Sequence, residues 1–215
     1  MMNTPSLLSF RAFGIPIEIG TTALLLIGFL ALSYGRAGSM GLVSGAVYGL
    51  VLLGSIFVHE LGHALVGARL GLRPRRIVLH GFGGFCEYGR PPRPKEGVIS
   101  SLAGPAAGLV LGALCFALYL GLGSSLPPHV EALLASAVFI NIFWSVFNLL
   151  PMFPLDGGQV LWYGLRLRLA PARADRITRN VTVPVAILTA IAGYAAGFIF
   201  VPLICFFAIM RALRM

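Results

Sequence analysis

The chain has 215 residues, of which 58% are hydrophobic and 11% charged, with a mean hydropathy of +0.91. These values exclude an ordinary soluble domain and fit a polytopic membrane protein, read as one membrane-embedded domain over residues 1–215. The net charge of +9 is assigned to topology and lipid headgroups and not to nucleic acid, because the basic residues flank apolar runs.

Residues 1–18 are mixed in character, and Phe13 to Ile19 alternates weakly, as an edge strand or an interfacial stretch would. Ile19–Gly35 is uncharged and about one span long, and Arg36 with the residues after it makes a turn. No cleavable leader is expected, since the first apolar run lacks a basic segment ahead of it and a cleavage site after it. Ala37–Val58 is the second uncharged run, with Gly41, Gly45 and Gly49 on one helical face, a spacing that allows close helix approach in lipid. It ends in His59-Glu60-Leu61-Gly62-His63 and continues as helix to Arg69. On a helix the two histidines stand at i and i+4, so two imidazoles can meet one zinc ion, with Glu60 beside them as general base.

Arg69–Glu96 carries seven of the sixteen basic residues, and within it Arg76–Tyr88 reads as a glycine-broken hairpin at the membrane surface. His80 is read there as a strand histidine and not a ligand. Val98–Gly123 is the third run, opening on Ala103-Gly104-Pro105, and its Gly104, Gly108 and Gly112 form a second small-residue face expected to meet the first. Pro127–Glu131 is a turn with an exposed His129. Ala132–Leu155 is the fourth run, broken at its end by Pro151 and Pro154 just ahead of Asp156. Gln159–Arg179 reads as an interfacial helix and loop. Asn180–Met210 is too long for one span and divides near Gly193–Gly197. Cys86, Cys115 and Cys205 form no C-x-x-C pair and are read as free structural thiols.

The expected fold is therefore an all-α polytopic membrane protein of about six transmembrane helices with a short β-hairpin at the cytoplasmic surface. Its core spans are residues 37–69, 98–123 and 132–155. With the N-terminus inside, the inner segments hold fifteen of the sixteen Lys and Arg residues, which places His59, His63 and Asp156 toward the cytoplasm. Of seven acids, only Glu60 and Asp156 lie in or at the end of apolar helical runs, where an ionisable residue is a functional candidate. The second and fourth runs travel in the same direction, so Asp156 can reach the depth of the histidines. Two histidines, one carboxylate and water make a zinc site with an open position.

Taken together, these motifs resemble the site-2 proteases, the intramembrane zinc metalloproteases. The resemblance rests on His59-Glu60-Leu61-Gly62-His63, Gly81-xx-Gly84-Phe85, Ala103-Gly104-Pro105 and Asn148-xx-Pro151-xx-Pro154-Leu155-Asp156-Gly157-Gly158, in that order along the chain. It implies a three-helix catalytic core, one Zn2+ per chain held by His59, His63 and Asp156, Glu60 as catalytic acid/base, and single-span membrane proteins as substrates in a prokaryotic cell membrane. It also implies that Asn148 binds substrate or the oxyanion; a structural role at the broken helix is the other reading. Asn141 is read as an interhelical hydrogen-bonding residue. The sequence departs from the family where many members carry asparagine and this chain carries Gly108. Within these 215 residues no PDZ-like or nucleotide-sensing module is expected. Regulation by a membrane partner and self-association both stay open. Two other classes compete: a catalytically silent scaffold, which has no use for Glu60, and a metal transporter, which needs more than one polar station along its spans.

Overall fold

The computed structural model describes residues 6–35, 39–81, 83–198 and 200–215. In order, the elements are β1 (Ser6–Ala12), β2 (Ile15–Gly20), α1 (Thr21–Gly35), α2 (Ser39–Arg69), β3 (Pro74–His80), β4 (Gly83–Tyr88), α3 (Pro94–Leu122), α4 (Pro128–Asn148), α5 (Asp156–Leu165), α6 (Pro171–Ala195) and α7 (Phe200–Ala212). The turn expected at Arg36, and Phe82 within the glycine-rich stretch, lie outside the described residues. Backbone packing divides the chain into two compact units, Met1–Pro91 with Ala106–Ser145 and Pro92–Pro105 with Val146–Met215.

The first unit is built on a four-stranded sheet of order β1-β2-β3-β4. β1 and β2 are antiparallel, β2 and β3 parallel, and β3 and β4 antiparallel. The expected hairpin is present as β3–β4, but it is half of a larger sheet. The segment expected as an edge strand is β2, an interior strand covered by β1. The β1–β2 turn passes through Phe13 and Gly14, both at positive φ (52° and 77°), the two-residue geometry that matches strand twist. Parallel pairing of β2 with β3 requires a crossover, and α1 and α2 supply it.

Side chains alternate across a strand, so Ile15 and Ile17 of β2 and Ile77 and Leu79 of β3 face one way. There they form a buried cluster with Ile56 and Ala64 of α2. The sheet therefore packs on the stretch of α2 that carries the H-E-x-x-H motif. Across the strands, Arg76 donates from Nη1 to Glu18 (3.0 Å) and from Nε to Glu87 (2.7 Å), tying β2, β3 and β4 together.

Small residues mark the helix contacts of this unit. A Cβ at Gly49 would stand 3.1 Å from Ile27 Cα, so that face of α2 packs on α1. A Cβ at Gly108 would strike Ser145 Oγ, and one at Gly112 would come 3.0 Å from Ile142 Cγ1. The α3 stripe thus meets α4 at these positions, while Gly49 of α2 meets α1; the expectation that the two glycine faces meet each other does not hold at these residues. Asn141 donates from Nδ2 to Ser55 Oγ (2.9 Å), the interhelical hydrogen bond expected of it.

In the second unit, the loop after α4 and the start of α5 form one tightly packed piece. A Cβ at Gly157 would strike the carbonyls of Leu149 and Leu150, and one at Gly158 the backbone of Met152 and Phe153. Only residues without a side chain let α5 seat against the proline-broken segment. Thr182 of α6 steadies the same segment by accepting the Phe153 N–H (3.0 Å). α6 begins at Pro171, well before the uncharged run, because proline fits the first helical position.

Among the described residues, four helices are long and apolar enough to cross a bilayer: Gly41–Arg69, Pro94–Leu122, Pro128–Asn148 and Pro171–Ala195. The protein is an integral membrane protein. The other two expected spans correspond to shorter apolar helices, Thr21–Ser33 and Phe200–Ala212. At ~1.5 Å per residue each falls short of a ~30 Å hydrocarbon core.

The packing of α5 predicts a contrast between two glycines of one helix. Gly157→Ala forces a methyl group into backbone, and should destabilise by about 1–3 kcal/mol or more. Gly164→Ala meets nothing within 4 Å and should be neutral or slightly stabilising. Thermal unfolding of the two variants in the same detergent measures the difference.

Candidate metal centre

The H-E-x-x-H motif lies within α2, where the apolar run that precedes it has already committed the backbone to helix. His59 and His63 are buried (5% and 9% exposed), and so is Glu60 (6%). The helix brings the two Nε2 atoms to 3.2 Å, with the rings nearly perpendicular at 80°. Two neutral imidazoles at this distance either share one proton or direct both lone pairs at a common cation. Zinc–nitrogen bonds of about 2.0–2.1 Å at a tetrahedral angle place the two nitrogens about 3.3 Å apart. The observed separation fits that geometry with no change of rotamer.

β4 lies along the same helix. Its alternate residues Gly84, Cys86 and Tyr88 share one strand face. A Cβ at Gly84 would come 2.6 Å from Glu60 Cγ and 3.1 Å from Glu60 Oε1, so the strand backbone lies directly against the carboxylate. At the other end, the Tyr88 hydroxyl donates to the His63 carbonyl (3.0 Å), and the Tyr88 ring fills the space a side chain at Gly67 would need. The helix gives up a side chain at Gly67 and the strand gives one up at Gly84. The result is a strap fastened one helical turn beyond His63 and again at Glu60. Between these points, burial, and to a lesser degree the nearby charge of Glu60, pushes the Cys86 thiol up to about 12. It stays protonated, in keeping with a structural cysteine.

In the second unit, Asn148 is the last residue of α4 and Asp156 the first of α5, and both are buried. A carboxylate in the first turn of a helix is favoured by the free N–H groups there. The Gly157–Gly158 packing sets where that first turn lies. Of the two remaining histidines, His80 lies on a strand as expected, and His129 is exposed as expected but helical. His80 ends β3, half-buried, and burial holds it below the usual histidine range. His129 is exposed, in the first turn of α4 and not in a loop.

Several residues that shape the centre carry no sequence signal. Tyr88, Gly67 and Ser55 belong to no motif. Gly84 was legible as part of a glycine-rich stretch, but not as the neighbour of Glu60.

Fold and half-site together define a membrane-spanning protein of the H-E-x-x-H metal-site class. The chain belongs to Peptidase family M50, whose profile matches residues 47–126 and 123–191. It is 34% identical over 163 residues to the protein sll0528 of Synechocystis sp., covering 69% of this chain and 41% of that protein. It is 28% identical over 204 residues to Zinc metalloprotease MJ0392 of Methanocaldococcus jannaschii, covering 94% of this chain and 58% of the relative. The chain thus spans about half the length of the curated relatives it matches. Among solved structures, the Site-2 Protease from Methanocaldococcus jannaschii superposes with a TM-score of 0.69 at 25% identity, covering 96% of this chain and 94% of that one. The resemblance drawn from the motifs is borne out.

The raised Cys86 value has a direct consequence. Since the thiolate is the reactive form, alkylation of Cys86 at pH 8 should be about three orders of magnitude slower than that of a free thiol. The rate should climb with pH toward the value near 12. Mass-resolved labelling with iodoacetamide checks this; rapid modification at neutral pH would contradict the burial described.

Proposed function

We propose that the protein is a zinc-dependent endopeptidase that hydrolyses peptide bonds within or beside the transmembrane segments of single-span membrane proteins. The observation that carries the reading is the buried Nε2 pair at 3.2 Å with Glu60 next to it on the same helix. A silent scaffold has no need of a buried carboxylate at that place, and the relatives' names point to zinc peptidase chemistry.

In this reading His59, His63 and Asp156 hold the ion. Support for Asp156 is chemical: it is a buried carboxylate in the family's motif, and with the two imidazoles it makes up a ligand set of the kind zinc takes. When bound, zinc polarises the scissile carbonyl and brings the pKa of its water to about 7. Glu60 takes a proton from the attacking water and delivers it to the leaving nitrogen, so the peptide bond and one water become an acid and an amine. Gly84 leaves the Glu60 carboxylate room while the β4 backbone limits where it can swing. Asn148 offers a side-chain amide to the carbonyl oxygen as negative charge develops there.

Four long helices, and two shorter ones that borrow flanking residues to cross, read as six membrane segments, with the termini and the centre on the cytoplasmic side by the positive-inside pattern. A peptide bond in a helix is shielded, so the substrate must extend before it is cut. β4 ends the sheet, and an unpaired strand edge is a template for an extended peptide. Gly84 is the part of that edge beside Glu60.

Glu60→Gln should keep zinc, measured by elemental analysis, and lose about 100-fold or more in cleavage of a panel of single-span substrates in detergent. His63→Ala should lose both zinc and cleavage, and chelation should abolish cleavage reversibly. A Glu60→Gln variant that cuts normally would sink the mechanism. For the strand edge, a photo-crosslinker at the exposed Phe85 on β4 should capture substrate. The same group at exposed Phe10, on the opposite edge strand β1, should not. Equal capture at both positions would remove the edge-pairing model of substrate entry.

A further inference from the structure

The second unit carries a cavity that the peptidase reading does not use. It has a volume of about 290 Å³ and is lined by Phe153, Trp162, Asp175, Arg211, Arg214 and Met215. Arg211 and Arg214 stand three residues apart at the end of α7, and both are exposed. Among the described residues neither guanidinium forms an ion pair. The Asp175 carboxylate, which also lines the cavity, accepts a hydrogen bond from Trp162 Nε1 at 2.6 Å. The Trp162 indole is itself covered by Arg166, whose Cζ lies 4.5 Å from the ring centroid. The cavity therefore presents two guanidiniums beside one carboxylate that is already hydrogen-bonded to Trp162.

Such a lining selects an anion that carries several acceptor oxygens, because planar guanidiniums match phosphate geometry with paired hydrogen bonds. The volume is at the lower bound of ligand sites and suits a phosphate with a small substituent. The source of that phosphate follows from the helix that delivers the arginines. Phe206, Phe207, Met210 and Leu213 of α7 and its end are exposed at 39–58%, an apolar surface leading to the two cations. A phosphate with acyl chains can place its head in the cavity and its tails along this surface. A free phosphate gains nothing from it.

We infer that this cavity is a headgroup site for an anionic phospholipid, held by Arg211 and Arg214 against Phe153 and Trp162. Its occupant touches the loop that leads to Asp156, since Phe153 is fixed there through its N–H to Thr182. Filling the cavity restrains Phe153, and with it the segment on which Gly157 and Gly158 rest. The site thus couples lipid composition to the stability of that segment. The inference rests on the membrane character of the chain and not on its peptidase activity.

The test uses the full chain purified in a non-ionic detergent, titrated with dioleoyl phosphatidylglycerol, dioleoyl phosphatidylcholine or free glycerol 3-phosphate. Melting temperature and retained lipid by native mass spectrometry are read for each. Phosphatidylglycerol should raise the melting temperature by about 3 °C or more, as binding to the native state alone requires, and should remain bound in a one-to-one ratio. Phosphatidylcholine and glycerol 3-phosphate should do neither. The double variant Arg211→Gln/Arg214→Gln should weaken retention at least tenfold, whereas Arg168→Gln/Arg173→Gln, which removes two exposed charges outside the cavity, should not. If the glutamine pair fails to fold, Arg211→Lys/Arg214→Lys keeps the charge without the planar fork and should bind with intermediate affinity. An equal response to phosphatidylcholine would overturn the charge selection, and an equal response to glycerol 3-phosphate would overturn the lipid source. Undiminished retention in the glutamine pair, or in the lysine pair if it replaces it, or an equal loss in the control pair, would overturn the site.

Discussion

Two imidazole nitrogens held 3.2 Å apart inside a membrane helix are the constraint on which the rest of the first unit depends. An ionisable side chain in a span is disfavoured, by roughly 2.5–3.5 kcal/mol at the centre on insertion scales and by less toward an edge, and here three stand within five residues in the last third of α2. Burial away from water makes partners obligatory. The i, i+4 spacing aims both nitrogens at one point, the arrangement that sharing one cation requires.

The sheet answers a second demand, which is that the site keep its shape. A long helix in lipid is braced only where something packs on it. The apolar face of β2 and β3 covers Ile56 and Ala64, on either side of the motif in sequence, and β4 straps the helix at Glu60 and beyond His63. The bracing works through backbone. Gly67 admits the Tyr88 ring, Gly84 admits the Glu60 side chain, and in the second unit Gly157 and Gly158 admit the chain that precedes them. At each point a methyl group would displace what packs there, whether the Tyr88 ring, the Glu60 side chain or the backbone ahead of α5, so these glycines act as spacers and not as flexible joints.

Legibility from sequence divides along the same line as the physics. H-E-x-x-H was readable because its geometry is local: a helix alone sets the distance between residues four apart. The proline-broken segment before Asp156 was readable because proline acts on its own backbone. β1 escaped notice because Leu7, Leu8 and Phe10 are all exposed and show no clean alternation. The two glycine stripes were recognised as packing faces, but not their partners, since a stripe says that something packs closely and not what. Tyr88 is the clearest case. Nothing marks it in the chain, and only the laying of β4 along α2 brings its hydroxyl to the His63 carbonyl.

By itself, then, the sequence determined that the chain is a membrane protein, that one helix carries two histidines four residues apart with an acid beside them, and that the fourth apolar run breaks just before an aspartate. These are properties of composition and of short-range backbone geometry, which need no partner segment. Tertiary structure alone decided that four strands form one sheet, that the sheet rests on the histidine helix, and that two arginines at the end of α7 share a cavity with Trp162 and Phe153. Each of these joins residues far apart in the chain. Such contacts are settled by which surfaces bury one another once the helices and strands have formed.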